Sequence, residues 1–223
     1  RAAPAAPLRP LPHRPCGKSR RNSSADGNLT WSRAMSRMDE VANRYDTTIP
    51  THVRDHYVRK RVAFIRRHMR RGLILNVGCG TGLLDAALRG VGFDVVGVDD
   101  SLGMLHECRN AHAVPCICGE ASALPIASRS VDAAICVATL HHLAEPARVR
   151  ATLREMVRVV KPGGCVLVWD HNPLNPYWPG LMRRLPQDQE PTRLVPLGEL
   201  LADLTHSEID RVRVWRLGLV PDF

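Results

Sequence analysis

The sequence predicts an α/β fold in which a mostly parallel sheet is built from repeated strand–helix units. Three observations predict it: an apolar run that enters a glycine-rich turn at 73–82, a β-branched run that ends in acidic residues at 93–100, and a recurrence of apolar strands and amphipathic helices as far as residue 169. Alternating strands and helices are typical of a parallel sheet whose faces are covered by helices.

The glycine-rich turn follows the apolar run 73–77 and has glycine at every second position, at Gly78, Gly80 and Gly82. Glycine lets the backbone bend tightly and approach a ligand closely because it has no side chain. A helix-forming run follows and ends at Gly90. The sequence therefore predicts the first half of a nucleotide-binding βαβ unit, with the helix N-terminus facing the ligand.

The second strand ends in Asp99 and Asp100, about 20 residues after the glycines. An acidic side chain at this position is placed to accept hydrogen bonds from a ribose diol. The glycine spacing is Gly-x-Gly-x-Gly rather than the Gly-x-Gly-x-x-Gly of dinucleotide sites, which counts against a nicotinamide cofactor.

The apolar periodicity predicts alternating helices and strands around this unit. Ser101 is a suitable N-cap for the helix after the second strand, and the turn 161–164, with proline and two glycines, closes the helix before the fifth strand. Apolar residues at successive positions favour a fourth strand that is buried on both faces. The predicted helices are 51–70, 101–108, 145–160 and 197–204, and the later strands are 113–117, 131–137, 165–169 and 212–217.

Four motifs occur in the order typical of one enzyme family. They are the segments 77–82, 98–105, 140–143 and 160–164. Together they resemble the class I S-adenosylmethionine-dependent methyltransferases, and most closely their UbiE-like, or type 11, small-molecule branch. The resemblance covers residues 41–223 and implies a Rossmann-like sheet, S-adenosyl-L-methionine as the cofactor and methyl transfer as the reaction.

The resemblance also assigns the cofactor contacts residue by residue. Asp99 takes the place of the ribose carboxylate, and Glu120 stands where the family carries the aspartate that accepts from the adenine amino group. Tyr45 matches a tyrosine near the methionine end of the cofactor, and Asn76 replaces the usual acidic residue there. The full predicted cofactor set is Tyr45, Asn76, Gly78, Cys79, Gly80, Gly82, Asp99, Asp100, Met104, Glu120, Ala121 and Val137.

The stretch 170–179, Asp-His-Asn-Pro-Leu-Asn-Pro-Tyr-Trp-Pro, is the least generic in the chain. Its prolines fix an extended path, and the polar side chains between them should emerge at the same sheet edge as the cofactor. Neutral imidazole acts as a general base near pH 7. We therefore predict His171, then His142 and then His141 as the catalytic base, with Asn172 beside them on the acceptor side.

The methyltransferase domain is predicted to span 34–223, with a helical cap at 34–72 and a substrate-side loop or lid at 171–195. The family usually ends in a hairpin of strands six and seven. The sequence ends at Phe223 without room for a seventh strand, so a sheet that lacks this strand is expected.

The positive charge lies ahead of the predicted domain body. The net charge is +9, yet residues 73–223 carry 14 Lys and Arg against 17 Asp and Glu. Residues 1–33 are rich in Ala, Pro, Arg and Ser and have no apolar period, which predicts a disordered basic tail. Such a tail can bind nucleic acid, but the sequence shows no aromatic stacking platform for RNA.

No apolar run approaches the length of a membrane span, so a soluble protein is expected. Seven cysteines without a paired pattern predict a reducing, cytoplasmic compartment and no disulfides. Cys116 and Cys118 have no second pair at zinc spacing, so no metal site is predicted. The expected partner is a small-molecule or lipid-like methyl acceptor, with nucleic acid disfavoured and the oligomeric state open.

Three alternatives to this enzyme stay open. Asn76 and the missing seventh strand favour a cofactor-binding pseudoenzyme or regulatory module. The basic N-terminus favours an RNA methyltransferase, and the glycine turn alone is compatible with an NAD-dependent oxidoreductase. The methylated atom, whether oxygen, nitrogen or carbon, is open as well.

Overall fold

The computed structural model describes residues 37–188, 192–202 and 209–215, and the strands of residues 19–23 and 29–33. The strands are β1 (Ser19–Ser23), β2 (Leu29–Arg33), β3 (Leu73–Val77), β4 (Asp94–Asp99), β5 (Cys116–Cys118), β6 (Val131–Val137) and β7 (Val160–Trp169). The helices are α1 (Arg37–Val41), α2 (Thr51–His68), α3 (Leu83–Gly90), α4 (Leu102–His112), α5 (Pro146–Val159), α6 (Trp178–Met182) and α7 (Leu197–Ala202). Short 3-10 segments lie at Ala42–Thr47, Ala121–Ala123, Leu140–His142 and Pro186–Asp188.

Five parallel strands form the main sheet in the order β5-β4-β3-β6-β7. The strand order reverses at β3, since β4 pairs on one side of it and β6 on the other. Such a reversal opens a crevice beyond the carboxyl ends of the strands, where ligands of open α/β sheets bind. This arrangement confirms the predicted Rossmann-like, mostly parallel sheet.

Successive residues of β3 pack into two different hydrophobic clusters. Leu75 lies in a cluster with Met156 of α5, whereas Ile74 lies in a cluster with Leu88 of α3 and Ile65 of α2. A strand that is covered on both faces needs apolar side chains at successive positions, which is why four of the five residues of β3 are apolar, with Asn76 the exception. The glycine turn that follows is thereby anchored to the middle of the sheet.

The segment for which the composition predicts disorder contains the strand pair β1–β2, which is antiparallel and pairs Ser19 with Arg33. Thr30 and Trp31 of β2 are residue types with high strand propensity. The disorder predicted for the tail, and the boundaries of the tail and of the domain, stay predictions.

The predicted glycine turn at 161–164 lies inside β7, where it forms a bulge rather than a separate loop between helix and strand. Val131 of β6 pairs with Val160 and Ala133 pairs with Cys165, so the four residues 161–164 lie opposite a single residue of β6, Asp132. Gly163 has φ of +78°, and a Cβ on Gly164 would lie 2.5 Å from the carbonyl oxygen of Asp132, so both positions require glycine. Lys161 fixes the bulge through an ion pair of 2.7 Å with the Asp132 carboxylate.

The sequence predicted a sixth strand at 212–217. The structure describes residues 212–215 of this segment, and they form no strand, so the prediction is wrong for these residues. Val212, Val214 and Trp215 are all 44–47% exposed, so the alternating pattern buries neither face. Trp215 instead packs edge-on against the ring of Phe64 at 5.1 Å. Within the described ranges, none of the helices has both the length and the apolar character needed to cross a bilayer.

Candidate functional site

The glycine turn between β3 and α3 holds all three predicted glycines in the left-handed conformation, with φ of +73° at Gly78, +55° at Gly80 and +78° at Gly82. A Cβ on Gly78 would overlap Thr139, and one on Gly82 would lie 2.5 Å from Sγ of Cys108. A Cβ on Gly80, in contrast, would meet no described atom within 4 Å. The turn is therefore closed by packing at its two ends and open to a ligand at its centre.

Asp99 lies at the end of β4 and contacts this open part of the turn. Its Oδ2 accepts a hydrogen bond from the backbone N–H of Gly80 at 2.9 Å, and its Oδ1 accepts from Ser101 N–H at 2.9 Å. Each carboxylate oxygen can accept a second hydrogen bond, so both remain available to a diol. Burial raises the pKa of Asp99 to about 6, although the two N–H donors oppose the shift.

Asn76, which stands where the resembling family carries an acid, pairs with a carboxylate that the sequence analysis did not single out. It is 2% exposed, and its Nδ2 donates to Oδ1 of Asp85 at 2.5 Å. Burial raises the pKa of Asp85 to about 7. An acidic group is therefore present beneath the glycine turn, but α3 supplies it instead of β3. The signal in the sequence was an aspartate on the apolar face of α3, between Leu84 and Leu88.

We expect Asp85→Asn to raise the melting temperature at pH 8 and to change it little at pH 4. The folded-state pKa of about 7 lies above the ordinary 3.8, so the fold loses stability as the pH rises from the lower value through the higher one. The amide keeps an acceptor for Asn76 and carries no charge. Thermal unfolding of both proteins between pH 4 and pH 8 measures the difference. Asp94→Asn, at an exposed position of β4, is the control, and a lower melting temperature of Asp85→Asn at pH 8 would contradict the explanation.

The segment before α2 is tied to the glycine turn and to the start of α4. Oδ1 of Asp39, in α1, accepts from the hydroxyl of Ser101 at 2.6 Å and from Gly103 N–H at 2.8 Å. The hydroxyl of Thr81 donates to Oδ1 of Asp46 at 2.9 Å. These contacts hold the predicted helical cap over the crevice beyond β3 and β4.

Tyr45 and Met104 belong to one small hydrophobic cluster with Val41 and Ala42. Met104 is 2% exposed, so its side chain forms part of the wall beneath the cap. Burial, with a contribution from the Asp188 carboxylate, raises the pKa of Tyr45 to about 12. The phenol is therefore protonated at neutral pH and can donate a hydrogen bond.

Glu120 follows β5, where the family motif places the adenine-side acid. Its Oε1 accepts from the hydroxyl of Ser122 at 2.8 Å and from Arg148 of α5 at 2.9 Å. Because the carboxylate is largely exposed, this pair adds little stability, and the adenine contact of Glu120 stays a prediction. Of the other predicted cofactor residues, Cys79 is buried in the turn, Asp100 is exposed after β4, Ala121 begins a 3-10 segment and Val137 ends β6.

The three predicted histidines meet at the carboxyl ends of β6 and β7. The ring centroid of His141 lies 4.0 Å from that of His142 and 4.3 Å from that of His171. The ring of His171 also stacks on Trp178 at 3.8 Å. Residues that are 30 positions apart in the chain thus form one histidine cluster, as the topology of a parallel sheet requires when both strands end at the same edge.

His141 is the buried centre of this cluster and is held by two carboxylates. Its Nδ1 lies 2.8 Å from Oδ1 of Asp170, and its Nε2 lies 3.3 Å from Oδ1 of Asp188. Burial disfavours the charged ring, but the hydrogen bonds to both aspartates outweigh burial and raise the pKa of His141 to about 9. The sequence analysis did not single out Asp188, which is 47 residues away in the chain and lay within a segment interpreted as a lid.

The two outer histidines have the opposite electrostatic character. Burial, together with the positive charge of His141, lowers the pKa of His142 to about 3 and that of His171 to about 4. Both rings are therefore neutral at pH 7 and keep a nitrogen lone pair, but each is a weaker base than an ordinary imidazole. The cluster places two neutral imidazoles next to a charged one.

The asparagines of the stretch 170–179 hold its turns. Oδ1 of Asn172 accepts from Leu174 N–H at 3.0 Å, and Oδ1 of Asn175 accepts from Tyr177 N–H at 2.9 Å. Such side-chain contacts to the backbone fix a turn locally. Nδ2 of Asn172 is buried and meets no hydrogen-bond partner in the described part of the chain. Asn172 therefore has a structural role through its oxygen and keeps a donor for a ligand.

The glycine turn and the histidine cluster are neighbours at one edge of the sheet. The hydroxyl of Thr139 donates to the carbonyl of Gly78 at 3.3 Å, and Leu140, His141 and His142 follow it directly. A ligand bound at Gly80 and Asp99 would therefore lie beside the imidazoles. This arrangement suits a nucleoside cofactor on one side and a second reactant on the other.

Comparisons with known proteins agree with this geometry. A family model described as a methyltransferase domain matches residues 75–168. The chain is 38% identical over 120 residues to a demethylmenaquinone methyltransferase of Renibacterium salmoninarum, covering 51% of this chain and 49% of that protein. It is 31% identical over 136 residues to the tRNA (carboxymethyluridine(34)-5-O)-methyltransferase ALKBH8 of Macaca fascicularis, covering 59% of this chain and 18% of that protein. The chain thus spans about half, or less, of the length of these relatives.

A solved structure, that of the PH0226 protein from Pyrococcus horikoshii OT3, resembles the chain over most of its length. The TM-score is 0.58 and the sequence identity 26%, with 70% of each chain covered. The glycine turn and nearly all of the sheet, which runs from residue 73 to residue 169, lie within the part of the chain that the family model matches.

Proposed function

We infer that this chain transfers a methyl group from S-adenosyl-L-methionine to a small-molecule or lipid-like acceptor. The inference starts from its family, because the chain belongs to the type 11 branch of the class I S-adenosylmethionine-dependent methyltransferases. The contact between Gly80 and Asp99, at the open centre of the glycine turn, carries the proposal. The demethylmenaquinone methyltransferase relative supports an acceptor of lipid-like character.

The residues present fit this cofactor. The open face at Gly80 gives its backbone room, and the free lone pairs of Asp99 match two ribose hydroxyls. The bound cofactor would supply an electrophilic methyl group on a sulfonium, so the protein's task is to align the reactants. Tyr45, Met104 and the residues of the glycine turn would orient the cofactor, and the cap above them would exclude water.

The histidine cluster is the proposed acceptor side. The rings of His142 and His171 both contact that of His141, with centroids 4.0 Å and 4.3 Å away, at the carboxyl edge of the sheet. One of these two imidazoles takes the proton of an acceptor that must lose one, and Nδ2 of Asn172 donates a hydrogen bond to the acceptor. His141, held between Asp170 and Asp188, positions the other two rings.

The alternatives receive less support. The pseudoenzyme interpretation relied on the loss of an acid at Asn76, and Asp85 places a carboxylate 2.5 Å from that residue. The tRNA-modifying relative is matched over only 18% of its length. A dinucleotide oxidoreductase conflicts with both the glycine spacing and the methyltransferase model.

A cytoplasmic location remains part of the proposal. Among the residues that the structure describes, five cysteines are free thiols, which suits a reducing compartment. Cys118, at the end of the edge strand β5, is disulfide-bonded, so the expectation of no disulfides is wrong at this position, and this bond counts against a reducing compartment.

Isothermal titration calorimetry tests the cofactor assignment. We expect S-adenosylhomocysteine to bind with one site per chain and NAD to give no binding heat, because the turn offers one ribose carboxylate and the glycine spacing does not suit a dinucleotide. Tighter binding of NAD than of S-adenosylhomocysteine would overturn the proposed function.

A further inference from the structure

Nε2 of His141 and Oδ1 of Asp188 face each other inside the histidine cluster. Nδ1 of His141 lies 2.8 Å from Oδ1 of Asp170, a distance at which the ring nitrogen donates its proton to the carboxylate. With the proton on Nδ1, Nε2 carries a lone pair, and Oδ1 of Asp188 lies 3.3 Å from it. Two lone pairs at this separation repel each other unless a cation lies between them. That cation is either the second ring proton of the charged His141 described above or a metal ion that replaces this proton.

A third ligand atom distinguishes the two possibilities. Ligand atoms of His141, His171 and Asp188 all lie within 4.8 Å of one another. A proton bridges two atoms, whereas a metal ion gathers three or four. We propose that His141, His171 and Asp188 bind a divalent transition-metal ion in this cluster.

The measured distances suit such an ion. Metal–nitrogen and metal–oxygen bonds of about 2.0–2.2 Å in a tetrahedral site place neighbouring ligand atoms about 3.4 Å apart. Nε2 of His141 and Oδ1 of Asp188 are 3.3 Å apart without any ion between them. The third ligand, His171, lies two residues beyond the end of β7, and its ligand atom lies within 4.8 Å of the other two.

Asp170 is the group that would hold these ligands in place. Its two oxygens accept from the backbone N–H of His141 at 3.2 Å, from the ring of the same residue at 2.8 Å and from the backbone N–H of His171 at 2.7 Å. A carboxylate on the far nitrogen of a ligating histidine is the usual outer support of a metal site, because it fixes the tautomer and the ring orientation. Both proposed histidine ligands are thus anchored by one residue.

The ligand set selects a class of ion. Two imidazoles and one carboxylate suit Zn²⁺, Co²⁺, Ni²⁺ or Fe²⁺, while Mg²⁺ and Ca²⁺ prefer oxygen ligands alone. Three protein ligands leave a coordination position open. The role of this position rests on the proposed function: it would hold an acceptor oxygen beside the glycine turn, and His142 would be left as the proton acceptor. Binding of the ion itself does not depend on that role.

Cobalt titration of the untagged, chelator-treated protein tests the site, with zinc content measured in parallel by elemental analysis. We expect about one equivalent of Co²⁺, displaced by Zn²⁺, with visible absorption but no thiolate-to-cobalt band. Loss of an outer support costs about 10- to 100-fold in metal affinity. Asp170→Asn should lose metal affinity by an amount in that range. His171→Ala and Asp188→Asn, which remove ligands, should each lose more than about 100-fold in metal affinity. His106→Ala, an exposed histidine of α4, should bind as the parent does.

Three results would overturn the site: no stoichiometric Co²⁺ or Zn²⁺, equal affinity in the parent and in folded His171→Ala, or a thiolate band that places the ion on cysteines. Circular dichroism identifies any variant that fails to fold. If Asp188→Asn does not fold, the test is decided by His171→Ala, which changes a half-buried residue. The titration uses neither cofactor nor acceptor. A protein that binds the ion but not S-adenosylhomocysteine would sink the proposed function and leave the metal site standing.

Discussion

Replacing Asp99 by alanine is expected to weaken S-adenosylhomocysteine binding by about 30- to 150-fold, which corresponds to about 2–3 kcal/mol for the loss of charge-assisted hydrogen bonds. The carboxylate touches Gly80 at the open centre of the turn and keeps lone pairs for two ribose hydroxyls. The side chain also orders the backbone of Ser101, so the substitution loosens the entry to α4 as well. Calorimetry on the folded variant measures the change.

Asp94→Ala provides the matched control for this experiment. It removes an exposed aspartate from the opposite end of the same strand and should leave the affinity unchanged. Full affinity in a folded Asp99→Ala protein would place the ribose site elsewhere in the molecule.

The same carboxylate predicts how cofactor affinity depends on pH. The pKa of Asp99 in the folded protein is about 6, and the ribose hydroxyls donate to its ionised form. Affinity should therefore be full above this value and fall as the pH drops below it, by about tenfold for each further unit. Asp99→Asn should lack this dependence, whereas a flat profile in the parent protein would remove Asp99 from the binding site.

His171→Ala is expected to lower turnover by about 100-fold or more, the usual scale for the loss of a positioned proton acceptor. The same variant should keep its affinity for S-adenosylhomocysteine within about twofold, because an interaction made only with the acceptor affects the rate and not cofactor binding. Either proposed role of His171, as base or as metal ligand, predicts this separation. Asn172→Ala should show the same pattern, together with some loss of stability from the broken turn at Leu174.

His52→Ala, an exposed histidine at the start of α2, is the control for the histidine cluster. If His171 only packs against Trp178, its variant should lose stability, and the remaining activity should follow the folded fraction. A folded His171→Ala enzyme with full turnover would remove this residue from the mechanism and leave His142.

The central sheet and the cofactor side could be predicted from the sequence because both depend on local patterns. Leu73–Val77 is apolar at four of its five positions because it is covered on both faces, and the three glycines follow because two of them have no room for a side chain. Asp99 was predictable since the length of one βα unit fixes where the second strand ends.

The remaining features depend on contacts that no local pattern reveals. Asp85 replaces the acid missing at Asn76 from a neighbouring element, and Asp188 reaches His141 from 47 residues away. The alternation at 212–215 predicted a strand, but an alternating segment forms one only where a neighbouring strand pairs with it. The bulge at 161–164 extends β7 through a turn that the glycines and proline alone suggested was a boundary.

Methyl transfer from labelled S-adenosyl-L-methionine is the most direct measurement of the proposed activity. The protein is incubated with the labelled cofactor and a panel of small-molecule and lipid-like acceptors, with short RNA included as a competing class. We predict time-dependent label in a small-molecule or lipid-like product that the parent forms, that His52→Ala forms equally and that His171→Ala forms at about one hundredth of the rate. Tight cofactor binding with no transfer to any acceptor would contradict the account and identify a binding module, and transfer to RNA alone would contradict the proposed acceptor class.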